Sequence, residues 1–166
     1  MDSYLILLRH AETQIGFRDH DRKLTKKGKS EGKKVAELLV NKYQNLRAIS
    51  STSKRTMQTS KFITDLLPGL KIDYLKELYL ASSREMLDII YEYSTYNKNI
   101  VCIGHNPGIH HLSLSLIKKS QIPQDLEIIK NKFPTSAMAV IKISENNWKN
   151  IYSNNNKLIE FITWKS

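Results

Sequence analysis

Residues 100–117 restrict the fold more than any other stretch of this chain. Ile100-Val101-Cys102-Ile103 is a short unbroken apolar run, the pattern of a strand buried on both faces. Gly104-His105 then turns the chain, Asn106 is placed to cap, Pro107 suits the first helical position, and Ile109, Leu112, Leu116 and Ile117 recur at helical spacing. That is a strand, a loop and a helix start, the kind of unit from which helix-covered parallel sheets are built.

The rest of the N-terminal two thirds repeats the alternation. Tyr4 to Leu8 is a short apolar run and reads as a buried strand. Thr25 can cap a helix running to about Tyr43, with Val35, Leu38, Leu39 and Lys42/Tyr43 on one stripe. Leu46 to Ser50 is a second strand. A helix follows from Thr52 or Ser53 to Leu67, with Phe62, Ile63, Leu66 and Leu67 as its apolar stripe and Pro68-Gly69 as its stop. Lys71 to Tyr74 is a third strand candidate. Ser82 with Glu85 has capping-box spacing and opens a helix that turns Leu87, Ile90 and Tyr91 inward. After Pro123 and Pro134 the pattern changes: Ala137 to Ile143, Trp148 to Tyr152 and Leu158 to Trp164 read as strands separated by Asn-rich turns, an antiparallel ending. The sum is α/β, a three-layer α/β/α sandwich with a largely parallel central sheet and antiparallel C-terminal strands. A chain of 166 residues, 40% of them hydrophobic, fits one such domain over 1–166.

Composition narrows the setting. The first apolar run is too short for a signal-peptide core and no segment reaches the roughly 20 apolar residues of a membrane span, so a cytoplasmic protein without membrane attachment is expected. The single cysteine, Cys102, sits in the buried run and cannot form an internal disulfide. The formal charge of +10, from 26 basic and 16 acidic residues, favours encounter with anions. Only six of the 26 bases are arginine, so generic cations here are lysines; arginine is left for sites that need a planar fork matched to phosphate oxygens.

In open sheets of this class, ligands bind beyond the carboxyl ends of the strands. Arg9-His10 ends the first strand, Ser51 and Arg55 follow the second, and His105 follows the strand at 100–103, so sequence-distant polar groups converge at one edge. Phosphoryl transfer through an imidazole needs such a set: a neutral ring with one nitrogen held as donor and the other free to attack, and arginines to hold the equatorial oxygens. Arg55 lies in the first turn of a helix, where the helix dipole disfavours a cation, and a bound phosphate gives it a better reason to be there.

Several segments carry a family resemblance. Leu8-Arg9-His10-Ala11-Glu12-Thr13, Asp21-Arg22-Lys23-Leu24-Thr25-Lys26-Lys27-Gly28, the stretch from Ser50 to Thr59, Ile103-Gly104-His105-Asn106-Pro107-Gly108, and Phe133-Pro134-Thr135-Ser136-Ala137 are similar, in order and spacing, to the signatures of the histidine phosphatase superfamily. The short chain resembles its SixA-like phosphohistidine phosphatase branch, with a phosphoglycerate mutase-like fold. Thr52 departs from the pattern, since many relatives carry proline there.

The resemblance implies His10 as the nucleophile and His105 as a hydrogen-bond donor to the transferring group, with Arg9 and Arg55 on its oxygens. It implies Arg22 as a further pocket residue, with Asp19 or Asp21 beside it. Glu77 falls in roughly the part of the chain where relatives acting on alkyl phosphates place a proton-donating acid. The match there is loose, and the lack of an evident acid motif favours a phosphohistidine substrate, whose nitrogen leaves more easily. The expected partner is therefore a phosphorylated protein such as a histidine phosphotransfer protein. Two other readings stand beside it: a phosphomonoesterase or mutase for a small phosphorylated metabolite, and a non-enzymatic basic module that binds nucleic acid. The dispersed lysines and inward-facing tyrosines speak against the last. No cofactor or metal is implied: His110 and His111 are adjacent on a helix and point apart, and no carboxylate or thiol set joins His105. Nothing in the pattern fixes an oligomeric state.

Overall fold

The computed structural model describes residues 2–16, 18–95 and 99–164. Its elements follow the chain as β1 (Tyr4–Arg9), α1 (Lys26–Lys42), β2 (Leu46–Ser51), α2 (Lys54–Leu66), β3 (Ile72–Leu75), α3 (Ser83–Ser94), β4 (Asn99–Gly104), α4 (Gly108–Leu116), β5 (Ile117–Ser120), α5 (Pro123–Asn131), β6 (Met138–Lys142) and β7 (Asn156–Ile162). Among the described residues seven strands form one sheet in the order β3-β2-β4-β1-β6-β7-β5. The β3, β2, β4 and β1 neighbours pair in parallel, β6 runs antiparallel to β1 and β7, and β5 returns parallel to β7.

Both faces are covered, which is why the central strands are apolar without alternation. On one face Leu5, Leu7, Ile100 and Cys102 pack with Met86 and Ile90 of α3, Ile109 and Leu112 of α4 and Ile129 of α5. On the other, Ile6, Leu8, Val101 and Ile103 meet Val35, Ala36 and Leu39 of α1 and Ile63 of α2. This is the expected α/β/α sandwich. Thr25 caps α1 by accepting from the Gly28 amide, and Ser82 and Glu85 close the expected capping box on α3. Among the described residues no helix is long and apolar enough to cross a membrane.

The structure corrects four local expectations. Leu66 and Leu67 are exposed, and α2 instead buries Arg55, Thr56, Thr59, Ser60 and Ile63, because this helix faces a polar site at its start and runs past the sheet at its end. Asn106 does not cap α4: its Nδ2 donates to the Phe133 carbonyl at 2.9 Å, Pro107 occupies the cap position, and the peptide between the two is cis. Residues 148–153 are a 3-10 turn, not a strand; Trp148 and Ile151 lie three apart, and Asn147 caps the turn by accepting from the Lys149 amide. Ile117, expected on the α4 stripe, opens β5, and α5 begins at Pro123 where no element was expected.

Candidate active site

Parallel pairing sets the strand ends side by side. Arg9 is in register with Gly104, and Ser50 with Ile103, so the residues that follow, His10, His105 and Ser51, come together at the carboxyl edge. The His10 and His105 rings lie 5.3 Å apart between centroids. Arg55, two residues after the Ser53 cap of α2, reaches the same place, and a pocket of about 420 Å³ is lined by Arg9, His10, Asp19, Arg22, Arg55 and His105 among others.

His10 is held on every side by backbone. Its amide donates to the Gly104 carbonyl at 3.2 Å and its carbonyl accepts from the Ser136 amide at 3.1 Å. Its Nδ1 lies 2.8 Å from the Ala11 carbonyl. A carbonyl can only accept, so Nδ1 carries the proton and Nε2 keeps the lone pair. The ring is 7% exposed, and burial pushes its pKa down to about 3, with the charges of His105, Arg55 and Arg9 adding to the effect against the Ala11 hydrogen bond. Near neutral pH the ring is uncharged, as a nucleophile requires.

His105 is pushed down to about 3 as well, by burial first and then by Arg55. Its Nε2 is hydrogen-bonded to Ser51 Oγ at 2.6 Å, and Ser51 Oγ in turn lies 2.9 Å from Thr56 Oγ1. Among the described residues His105 Nδ1 has no partner. The hydroxyls of Ser51, Ser53 and Thr56 thus form one buried network beneath the ring, which gives the polar run at 50–56 a reason beyond its match to a motif. Thr52, the departure from the family pattern, bonds through Oγ1 to His20 Nε2 at 3.1 Å and ties this loop to the 3-10 turn at Asp19–Asp21.

The three arginines are fixed by different means. Arg9 Nη1 donates to the Phe133 carbonyl at 2.8 Å. Arg55, 3% exposed, donates through Nη1 to the Asp19 carbonyl at 2.5 Å and through Nη2 to Asp19 Oδ2 at 3.0 Å. Arg22 donates to the Gln14 carbonyl, Thr13 Oγ1 and Asp19 Oδ1. The buried Nε atoms of Arg9 and Arg55 have no partner among the described residues. Burial and Arg55 lower the Arg9 pKa, yet a guanidinium keeps its charge throughout the working range.

Of the three expected carboxylates the structure brings in one. Asp19 lies in the pocket, and Tyr79, Arg55 and Arg22 hold its carboxyl far below the usual carboxylate range. Asp21 is exposed and sits 3.9 Å from His20 Nδ1, facing a neighbouring hollow. Glu77 is exposed on a 3-10 turn and lines no part of the pocket. Two residues on, Tyr79 is the residue of this segment that meets the site, though not as an acid: its hydroxyl donates to Asp19 Oδ2 at 2.5 Å and its ring meets His105 edge-on at 5.5 Å. A lone tyrosine between a strand and a helix carries no sequence signal for such a role. Among the described residues no three His, Cys, Asp or Glu side chains group so as to hold a metal ion. His110 Nε2 is bonded to the Ile129 carbonyl, and burial pushes the Cys102 thiol up to about 12.

The glycines of two motif segments are explained by close approach. A Cβ on Gly28 would sit 2.1 Å from the Glu12 carbonyl oxygen, where the Thr25 amide and hydroxyl already clamp the segment onto Glu12. A Cβ on Gly108 would meet the Ala81 carbonyl oxygen at 2.1 Å. Both contacts bring pocket walls together, so these motif positions shape the site without touching a substrate.

Residues 5–86 match the histidine phosphatase superfamily (branch 1). Among solved structures the chain is similar to a proposed phosphohistidine phosphatase SixA of Nakamurella multipartitia, with a TM-score of 0.84 and 22% identity over 98% of this chain and 96% of that one. It is similar also to a proposed phosphohistidine phosphatase SixA of Agrobacterium tumefaciens, with a TM-score of 0.78 and 28% identity over 98% and 99% of the two chains. A third is the protein histidine phosphatase SixA complexed with tungstate, at a TM-score of 0.74 and 21% identity over 96% of each. Arg9, His10 and Arg55 fall within the segment that matches the histidine phosphatase superfamily, and the likeness to these structures runs through nearly the whole chain.

Proposed function

We propose that this protein is a phosphatase that removes the phosphoryl group from a protein phosphohistidine by way of a phosphohistidine on its own His10. The observation that carries the reading is the state of the His10 ring: buried, uncharged, with Nδ1 committed to the Ala11 carbonyl and Nε2 left to attack beside two arginines. In the first step a bond forms between His10 Nε2 and phosphorus while the bond from phosphorus to the substrate nitrogen breaks. The departing imidazole takes a proton on its far ring nitrogen from solvent and leaves neutral. Water then attacks phosphorus, the His10 bond breaks, and inorganic phosphate is released. Arg9 and Arg55 offset the charge on the three equatorial oxygens, the uncharged His105 ring donates a hydrogen bond to them, and Arg22 stands behind.

The carboxylates favour this substrate over an alkyl phosphate. An alkoxide needs an acid to protonate it as it leaves. Asp19 is held ionised by three donors, Glu77 stands outside, and Glu12 accepts from Thr25 and faces Lys27 at 3.5 Å. A phosphoramidate makes no such demand. The lip of the pocket also suits a protein-borne group: Leu80, 56% exposed, projects there from a left-handed backbone position. The names of the SixA structures agree with this reading. It carries with it a single domain over 1–166, working in the cytosol on a partner such as a histidine phosphotransfer protein, which the charge of +10 would attract if acidic.

The test is turnover of a phosphohistidine protein and of an aryl phosphate, side by side, for the wild type and His10→Ala. Hydrolysis of the phosphoprotein that falls by about 10⁴-fold or more in the variant is expected. Activity confined to phosphate esters would keep His10 and move the substrate to small metabolites. Hydrolysis of neither would leave a binding protein on this fold.

A further inference from the structure

We propose that Asp19 is a built-in competitor for the phosphoryl group, occupying the outer edge of Arg55 and thereby setting how tightly the pocket retains inorganic phosphate. The inference rests on the reading of this pocket as a phosphoryl site. Arg55 is almost fully buried, and a buried guanidinium without a counter-charge is costly. Asp19 supplies that charge: its carbonyl takes Nη1 and its Oδ2 takes Nη2, the pair of nitrogens with which an arginine grips a phosphate bidentately. Asp19 takes one hydrogen from each of these nitrogens, so a phosphoryl oxygen reaches Arg55 through the unpartnered Nε–H and the second hydrogen of Nη2, and meets the Asp19 charge at the same guanidinium.

The two partners differ in what they lose if the pair loosens. Asp19 stands on an exposed 3-10 turn with its side chain 47% accessible, and without Arg55 it would still accept from Arg22 Nη1 at 3.2 Å and from the Tyr79 hydroxyl. Among the described residues Arg55 pairs with no second carboxylate, and beyond Asp19 its guanidinium carbon lies 5.9 Å over the face of Tyr79. Asp19 therefore neutralises Arg55 when the pocket is free and keeps two anchors when phosphate arrives. The carboxylate remains beside the incoming anion and repels it. Bound phosphate is the product of the reaction, so this repulsion favours its release. Tyr79 tunes the contest, because its hydroxyl draws charge from the same Oδ2 that Arg55 holds.

The experiment is titration of the whole protein with inorganic phosphate, by calorimetry or phosphorus NMR, with tungstate as a second probe and no turnover involved. Asp19→Asn should bind phosphate about tenfold more tightly than the wild type, since a carboxylate charge within a few ångströms of the anion is removed. Tyr79→Phe should bind it about two- to threefold more weakly, since Oδ2 then has one donor fewer and presses harder on Arg55. Opposite signs are the mark of competition; a purely structural Asp19 would weaken phosphate in both variants. An unchanged or weakened Kd in Asp19→Asn, with the wild type binding normally, overturns the inference alone. Should Asp19→Asn fail to fold, an unchanged or tightened Kd in Tyr79→Phe overturns it instead. A wild type that binds neither phosphate nor tungstate would remove the proposed function, and this inference with it.

Discussion

The parallel half of the sheet, β3-β2-β4-β1, and the half beyond it, β6-β7-β5, serve the pocket in different ways. The parallel half delivers side chains: His10 after β1, Ser51 at the end of β2, His105 after β4 and Arg55 on the helix between. From beyond it the pocket is held mainly by backbone. The Phe133 carbonyl holds both Arg9 and Asn106, the Ala137 carbonyl accepts from the Arg9 amide, and the Ser136 amide donates to His10. A main-chain group survives most substitutions, whereas a side chain does not. The first half should thus yield variants that lose chemistry and keep the fold, and the second half variants that lose stability and keep chemistry.

The largest effect breaks or upholds the first part of that contrast. His10→Ala, expected to abolish turnover, removes one hydrogen bond from a ring buried among cations, so its Tm should stay within about 4 °C of the wild type. A thermal scan of that variant decides it: unfolding at much lower temperature would make His10 a structural residue. The opposite case is Phe133→Ala. This side chain is 1% exposed and packs on Phe161 with ring centroids 5.1 Å apart, so truncation should cost about 3–5 kcal/mol of stability by denaturant titration. Its carbonyl remains, and kcat measured on folded protein should stay within about tenfold. A large loss of kcat at unchanged stability would mean that the second half acts on chemistry directly.

Legibility in the sequence follows the same division. The parallel strands and their helices have local signals that owe nothing to distant partners: unbroken apolar runs buried by helices on both sides, and caps at Thr25, Ser53 and Ser82. Beyond α4 the structure is decided by pairing. Ile117-Lys118-Lys119-Ser120 has the composition of a helix end or a loop and becomes a strand because β7 lies beside it. Residues 148–152 resemble a strand, yet both edges of β6 are already taken by β1 and β7. In the pocket, residues at strand ends were legible because topology alone places them. Tyr79 and the role of Asp19 were not, since each depends on how a connecting turn folds back over Arg55.

A smaller effect sharpens the contrast through pH. His10 and His105 have folded pKa values near 3, against an ordinary value of 6.5 when unfolded. Between these values the unfolded chain binds more protons than the folded one, so stability rises with pH across the window. It is complete above about pH 6.5 and is lost as pH falls toward 3, with a slope of up to about 1.4 kcal/mol per pH unit for each histidine. Denaturant midpoints at pH 7, 6 and 5 measure it, and His10→Ala should lose about half of this contribution. A slope untouched by the substitution would mean that His10 is not held neutral.

The smallest effect concerns a residue of the first half that the fold leaves outside. Glu77 is near Tyr79 in sequence, but the 3-10 turn that carries it buries only Leu78, and the tyrosine reaches Asp19 while the glutamate faces solvent. An acid that protonates a leaving group must come within hydrogen-bond reach of it. Glu77→Gln should therefore change turnover by less than about twofold on a phosphohistidine protein and on phosphate esters alike, and stability by no more than about 0.5 kcal/mol. The sensitive comparison is between esters with good and poor leaving groups. Loss of activity confined to the poor one would assign Glu77 as the acid, and would require the turn at 76–78 to swing over the pocket when substrate binds. Equal rates would leave departure of the group to the substrate's own nitrogen, which is what a phosphohistidine supplies.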